Sequence, residues 1–210
     1  MRSNNRFLNL IGQIRIYSLI DLIILLIAIS SNSYQLAGAV LLHLSFILYL
    51  EKSHNHKYRI PFPKSLWVLL LIIGLILYKS YFAIGYLIFS FLYTRKNHPG
   101  LGVYSPIFRG IQSYFLVAGI IGILNPLSFL AGALFALRNF TGDLRDITKD
   151  KKEKLKTLPI VLGFNKDMKK IHLIFLLLTS FVWWYLSGIS ILWLALIYLI
   201  EIGTYNLTPR

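Results

Sequence analysis

The chain has 210 residues, 56% of them hydrophobic and 15% aromatic, with a formal charge of +14. A soluble domain of this length does not reach that apolar fraction, so composition predicts an all-α integral membrane protein with one domain, residues 1–210. The absence of cysteine excludes a disulfide framework, a thiolate metal site and a cysteine nucleophile.

Apolar stretches run over about 16–31, 35–50, 65–78, 80–94, 109–124, 126–140, 171–186 and 189–203. The first has no small-residue cleavage site and reads as a membrane segment rather than a removable leader. The pairs 65–94, 109–140 and 171–203 are each too long for one crossing. A helix of about 30 residues is about 45 Å long, against a hydrocarbon core of about 30 Å. Lys79-Ser80, Asn125-Pro126 and Ser187-Gly188 interrupt the three pairs, so each predicts a tight hairpin. About eight short transmembrane helices result.

The basic residues orient them. Loops 1–15, 51–64, 95–109, 141–170 and 204–210, with their flanking helix ends, hold every Lys and Arg except Lys79, which is 21 of 22. By the positive-inside rule those loops and both termini are cytoplasmic, in a multi-pass protein of the cell (plasma) membrane. Lysines in short loops between apolar segments suit anionic lipid headgroups or a diphosphate, and nucleic acid is not an expected partner. Asp21 and Glu201 fall inside apolar stretches, where ionisable residues are functional candidates by default. Both are expected near the cytoplasmic end, hydrated or paired with Arg15 or Arg210. Trp183, Trp184 and Trp193 fit an interfacial aromatic belt. His54 and His56 read as polar loop residues, since an H-N-H spacing without other ligands is weak support for a metal site.

The longest polar segment, 141–170, opens with Asp143, Asp146 and Asp150 in RNFTGDLRDITKDKKEKLKTLPIVLG. Its start continues the sixth helix, and a spacing of i, i+3, i+7 sets all three carboxylates on one face. Such a face needs a cation. A lysine is the monovalent answer, and Mg²⁺ with a bound phosphate the stronger one. The plainer reading is a solvated loop of Asp–Lys pairs, each worth about 0–1 kcal/mol. For Lys151 to Lys156, topology and lipid headgroup contact explain the charge better than substrate binding.

Arg138, Asp143, Asp146 and Asp150 fill the pattern R-x4-D-x2-D-x3-D, followed by Lys156-Thr157-Leu158-Pro159 and Leu162-Gly163. This stretch resembles the second aspartate-rich motif of the UbiA superfamily of intramembrane prenyltransferases. Tyr93-Thr94-Arg95-Lys96 is similar to the tyrosine–lysine element of another cytoplasmic loop in that family. The family's first aspartate motif has no counterpart. The corresponding region offers Glu51 as its one acid, with His54, Asn55 and His56 nearby, and Arg59 to Pro63 in place of R-P-x-P. The family has about nine spans, against eight here.

The resemblance implies a UbiA-like bundle and a transferase of lipid biosynthesis. An isoprenyl group would pass from a prenyl diphosphate to a lipophilic acceptor, with Mg²⁺ as cofactor. It implies Asp143, Asp146 and Asp150 as catalytic, metal-holding residues, with Glu51 as an additional metal candidate. Arg138, Tyr93, Lys96, Arg95, Asn139 and Lys156 would bind substrate. The alternative is a catalytically impaired relative that binds prenyl lipid or serves another membrane protein structurally. A phosphatidyl-type transferase ranks low, because its glycine and alanine framework is missing. A transporter would be expected to set its acids deep in the membrane.

Overall fold

Each of the eight apolar stretches forms a helix of its own, and the breaks between them have local causes. A computed structural model describes residues 6–30, 32–53, 60–98, 100–205 and 207. His54, Asn55, His56, Arg59 and Arg210 lie outside the described residues. No strand occurs among the described residues, which form eleven α-helices and one 3-10 turn.

The helices are α1 Arg6–Ile14, α2 Ile16–Ile29, α3 Ser33–Ser53, α4 Lys64–Tyr78, α5 Phe82–Thr94, α6 Ser105–Ile121, α7 Pro126–Arg145, α8 Ile147–Lys152, α9 Leu158–Val161, α10 Lys169–Ser187 and α11 Ile191–Tyr205. The α4 helix stops where Lys79 turns left-handed, at φ 52°, its N–H still bonded to the Leu75 carbonyl. The Asn125 side chain accepts from Leu127 N at 2.9 Å and Pro126 follows at the first helical position, a strong start for α7. Gly188 turns the chain between α10 and α11. Among the described residues two helices, Ser33–Lys52 and Lys169–Ser187, are long and apolar enough to cross a membrane, or three if α1 and α2, bent by 44°, count as one.

The fold separates into two compact units, Met1–Lys79 with Thr179–Arg210, and Ser80–Leu178. In the first, α2, α3, α4, α11 and the end of α10 close around Leu22, Leu25, Leu42 and Leu50. The Gln13 amide bonds both ways to the Ile60 backbone. Asp21 and Glu201 are fully buried, not hydrated as their position near the helix ends predicts. Ser180 Oγ donates to Asp21 Oδ1 at 3.0 Å and lies against Glu201 Oε1, so a neighbouring helix supplies a polar partner where water or a pair with Arg15 or Arg210 was expected. Trp183, expected in an interfacial belt, is fully buried as well. It shares the inward stripe of α10 with Leu176 and Ser180, whereas Trp193 stays exposed.

In the second unit, α5, α6 and α7 pack side by side, with α8, α9 and the start of α10 at one end. The α6–α7 crossing is tight. A β-carbon on Gly110 would meet the Gly132 carbonyl at 2.7 Å and Ala136 Cβ at 2.8 Å. Small residues let the two backbones approach, and that approach brings the ends of α6 and α7 together.

Candidate functional site

Asp143 lies near the C-terminal end of α7 and is 5% exposed. Its Oδ2 accepts a hydrogen bond from Ser105 Oγ at 2.8 Å, and its Oδ1 is 4.0 Å from Lys96 Nζ. Ser105, fully buried, also accepts from Asn139 Nδ2 at 3.3 Å. Asn139 Oδ1 in turn accepts from Tyr93 OH at 2.8 Å. A directed chain of hydrogen bonds therefore runs Tyr93 to Asn139 to Ser105 to Asp143, with the ammonium of Lys96 on the other carboxylate oxygen. Lys96 also lies 5.5 Å from the centre of the Tyr93 ring. Burial pushes the Asp143 carboxyl up from its ordinary range, Lys96 and the Ser105 bond pull it down, and Asp146 adds to the rise.

The three acids do not share one helical face. α7 ends at Arg145, Asp146 takes φ −108° and ψ 15°, and α8 starts afresh at Ile147. That break overturns the projection from an unbroken helix. Asp146 turns to its neighbour: Arg145 Nε reaches its Oδ1 at 3.0 Å and Nη2 its Oδ2 at 2.6 Å, a bidentate pair. Asp150 is 6% exposed and its carboxylate has no hydrogen-bond donor among the described residues. Burial pushes it up to about 6, Lys96 opposes that shift, and the charges of Asp143 and Asp146 add to it. Lys96 is thus the main favourable charge for two buried carboxylates.

The expected substrate residues divide. Tyr93, Lys96 and Asn139 join the Asp143 network. Arg138 is buried on the same helix, its guanidinium 5.9 Å from the Phe135 ring centre. Arg95 is exposed and sits 4.5 Å over the Phe91 ring. The Lys156 side chain is exposed too; what packs is its backbone, since a β-carbon on Gly102 would meet the Lys156 carbonyl at 2.7 Å. Glu51, in the other unit, is 2% exposed and paired with Arg15 Nη2 at 3.1 Å.

Two groups of residues were missed. Ser105 precedes the stretch read as the fifth span, yet Ser105-Pro106 is a helix-start signal that could have extended it. One turn further, Arg109 lies over the rings of Phe135, at 5.7 Å, and Tyr93, at 6.0 Å. Its guanidinium donates to Gln112 Oε1, whose amide donates to Ser90 Oγ. Ser90 completes the relay on the Tyr86 carbonyl at 2.7 Å. Arg109 and Gln112, polar residues three apart at the start of the stretch 109–124, were the available signal.

Mg²⁺ takes hard oxygen ligands, commonly one or two protein carboxylates with phosphate oxygens and water. Among the described residues no group of three His, Cys, Asp or Glu side chains gathers at metal-holding distance. Asp143 and Asp150, two buried acids with one lysine as their main favourable charge, fit the smaller carboxylate set. Asp146 fits less well, because Arg145 occupies both of its oxygens. No protein-family model, no curated protein and no solved structure matches the chain.

Proposed function

We propose that the chain is a multi-pass membrane protein that works as a UbiA-like prenyltransferase on its cytoplasmic face. The carrying observation is the pair of buried carboxylates, Asp143 and Asp150, beside Lys96, with Asp143 held by Ser105. Outward apolar side chains such as Ile76, 60% exposed, and Leu199, 70% exposed, suit a lipid surrounding. The uneven distribution of Lys and Arg supports eight crossings with both termini inside.

In the proposed reaction the C–O bond of an allylic diphosphate breaks and pyrophosphate leaves with the electron pair. The acceptor then bonds to the allylic carbon and loses a proton. Bound Mg²⁺ would supply charge neutralisation for the leaving group. Asp143 and Asp150 would hold it. Lys96 and Arg138 would bind phosphate oxygens. Ring faces of Tyr93 and Phe135 would lie against the developing carbocation, as ring faces do for cations generally. The hydrogen bond from Ser105 orients Asp143 so that its other oxygen faces Lys96.

The second reading, a relative that binds prenyl lipid without turnover, draws on Glu51. The only acid of the first-motif region is committed to Arg15. Pure protein in lipid nanodiscs, given prenyl diphosphates of several chain lengths and a panel of lipophilic acceptors, distinguishes the two. Transfer predicts pyrophosphate release that needs Mg²⁺ and falls about 10²-fold or more in Asp143→Asn. Binding without release under every condition favours the second reading, and neither binding nor release ends both.

A further inference from the structure

We propose that the segment from Lys151 to Lys170 is a fixed anchor for an anionic lipid leaflet, with Val161 and Leu162 entering the headgroup region. The inference rests on the membrane reading of α10 and not on prenyl transfer. Val161 is 57% exposed and Leu162 60% exposed, side by side where α9 ends. They are exposed because the inner side of the same turn is already filled: Thr157 and Pro159 are buried, and the Lys156 carbonyl lies against Gly102.

The turn is held rigidly. Leu162 N bonds the Leu158 carbonyl at 3.0 Å and Phe164 N the Pro159 carbonyl at 3.0 Å. Further ties close the segment on itself: Lys151 Nζ to Asn165 Oδ1 at 2.6 Å, Thr148 N to Asp167 Oδ1 at 2.7 Å, and Met168 N to the Leu144 carbonyl at 2.9 Å. Two aliphatic side chains on a preorganised tip lose little entropy when they are covered.

Charge selects the cover. Lys151, Lys152 and Lys154 flank the tip on one side, and Lys166, Lys169 and Lys170 on the other, all exposed. Two exposed acids lie in the segment. Glu153 is 3.9 Å from Lys149, and Asp167 accepts from the Thr148 backbone. A clear positive excess therefore surrounds the apolar tip. That combination is the signature of an element lying in a bilayer interface, where apolar insertion and attraction to anionic headgroups add.

Position points the same way. Lys169 and Lys170 begin α10, one of the two helices long and apolar enough to cross a membrane. Leu162 precedes that start by seven residues, and the intervening loop is held by the Asn165, Asp167 and Met168 bonds, so the tip lies on the chain segment that leads into the helix that would cross.

The chain has no cysteine, so single-cysteine labelling is clean. Leu162→Cys reports the tip. Ile174→Cys, on the outward side of α10 where Ile174 is 61% exposed, reports the span itself. Both carry an environment-sensitive fluorophore in nanodiscs whose acyl chains are brominated quenchers, made of phosphatidylcholine alone or mixed with phosphatidylglycerol. The expected result is quenching at Ile174 in both lipids, and quenching at Leu162 about twofold or more stronger with phosphatidylglycerol. Lys152→Gln with Lys154→Gln is expected to reduce that difference. An unquenched Leu162 probe beside a quenched Ile174 probe overturns the anchor and leaves the membrane reading standing. Equal quenching at Leu162 in both lipids overturns the charge-selected anchor. Two unquenched probes overturn the membrane reading itself.

Discussion

Asp143, Asp146 and Asp150 are alike in sequence but sit in three different surroundings. Asp143 is buried and oriented by Ser105, Asp146 is committed to Arg145, and Asp150 is buried without a donor among the described residues. Substitution should grade accordingly. Asp143→Asn and Asp150→Asn are expected to weaken the proposed Mg²⁺-dependent transfer by about 10²-fold or more, Asp146→Asn by less than about tenfold. In stability, Asp146→Asn should cost about 1–3 kcal/mol, since the buried Arg145 guanidinium loses its carboxylate partner. Steady-state kinetics and thermal melts of the three variants check the order; equal losses would contradict it.

Burial raises Asp150 to about 6, so the folded chain takes up this proton before the unfolded chain does. The contribution of this group to stability therefore rises as pH falls through about 6 toward the ordinary carboxylate range. In metal-free detergent solution the gap in melting temperature between Asp150→Asn and the parent chain should be widest near neutral pH, with the variant higher, and should narrow as the solution is acidified. A gap independent of pH would contradict it.

At the scale of elements, the site depends on one helix crossing and one helix break. Ser105 on α6 meets Asp143 on α7 because Gly110 lets the two backbones touch at Gly132. Gly110→Ala places a methyl where a carbonyl already lies. It should destabilise the second unit by about 1–3 kcal/mol and move Ser105 away from Asp143. Denaturant titration reads the first effect. For the second, Ser105→Ala and Gly110→Ala should lower Mg²⁺ affinity together, and loss in one without the other would separate the crossing from the site. The break at Asp146 removes that acid from the line of Asp143 and Asp150. It has no glycine or proline to announce it, which is why a continuous helix was the natural expectation from spacing.

At the scale of the molecule, the proposed arrangement has an even number of crossings. Tags at the two termini should therefore be protected from, or open to, a protease added to sealed vesicles as a pair. A tag inserted beside Gly188 should show the opposite sensitivity, and a mismatch between the termini would overturn the eight-crossing topology. Much of the helical organisation was legible in the chain. The eight helices appear where apolar runs and their interruptions put them, because Lys79, Asn125-Pro126 and Gly188 act on their own few neighbours. The earlier start of α6 was legible too, in Ser105-Pro106. Less was legible wherever a partner from a distant segment decides the outcome. Asp21 and Glu201 are buried, and both meet Ser180 of another helix. Arg95 and Lys156, expected to bind substrate, are exposed in the turn after α5 and the loop before α9, and spacing does not encode that exposure.

By itself the sequence determined the helical class, the positions of the eight apolar helices and the region where the acids lie. Those follow from local propensity and from the clustering of charge, both properties of neighbouring residues. Tertiary structure alone decided which carboxylates are buried together, that Lys96 is their common counter-charge, and that Ser105 and Asn139 order them. Each of those outcomes depends on side chains from different helices meeting in low-dielectric surroundings, where burial and one nearby charge outweigh sequence spacing.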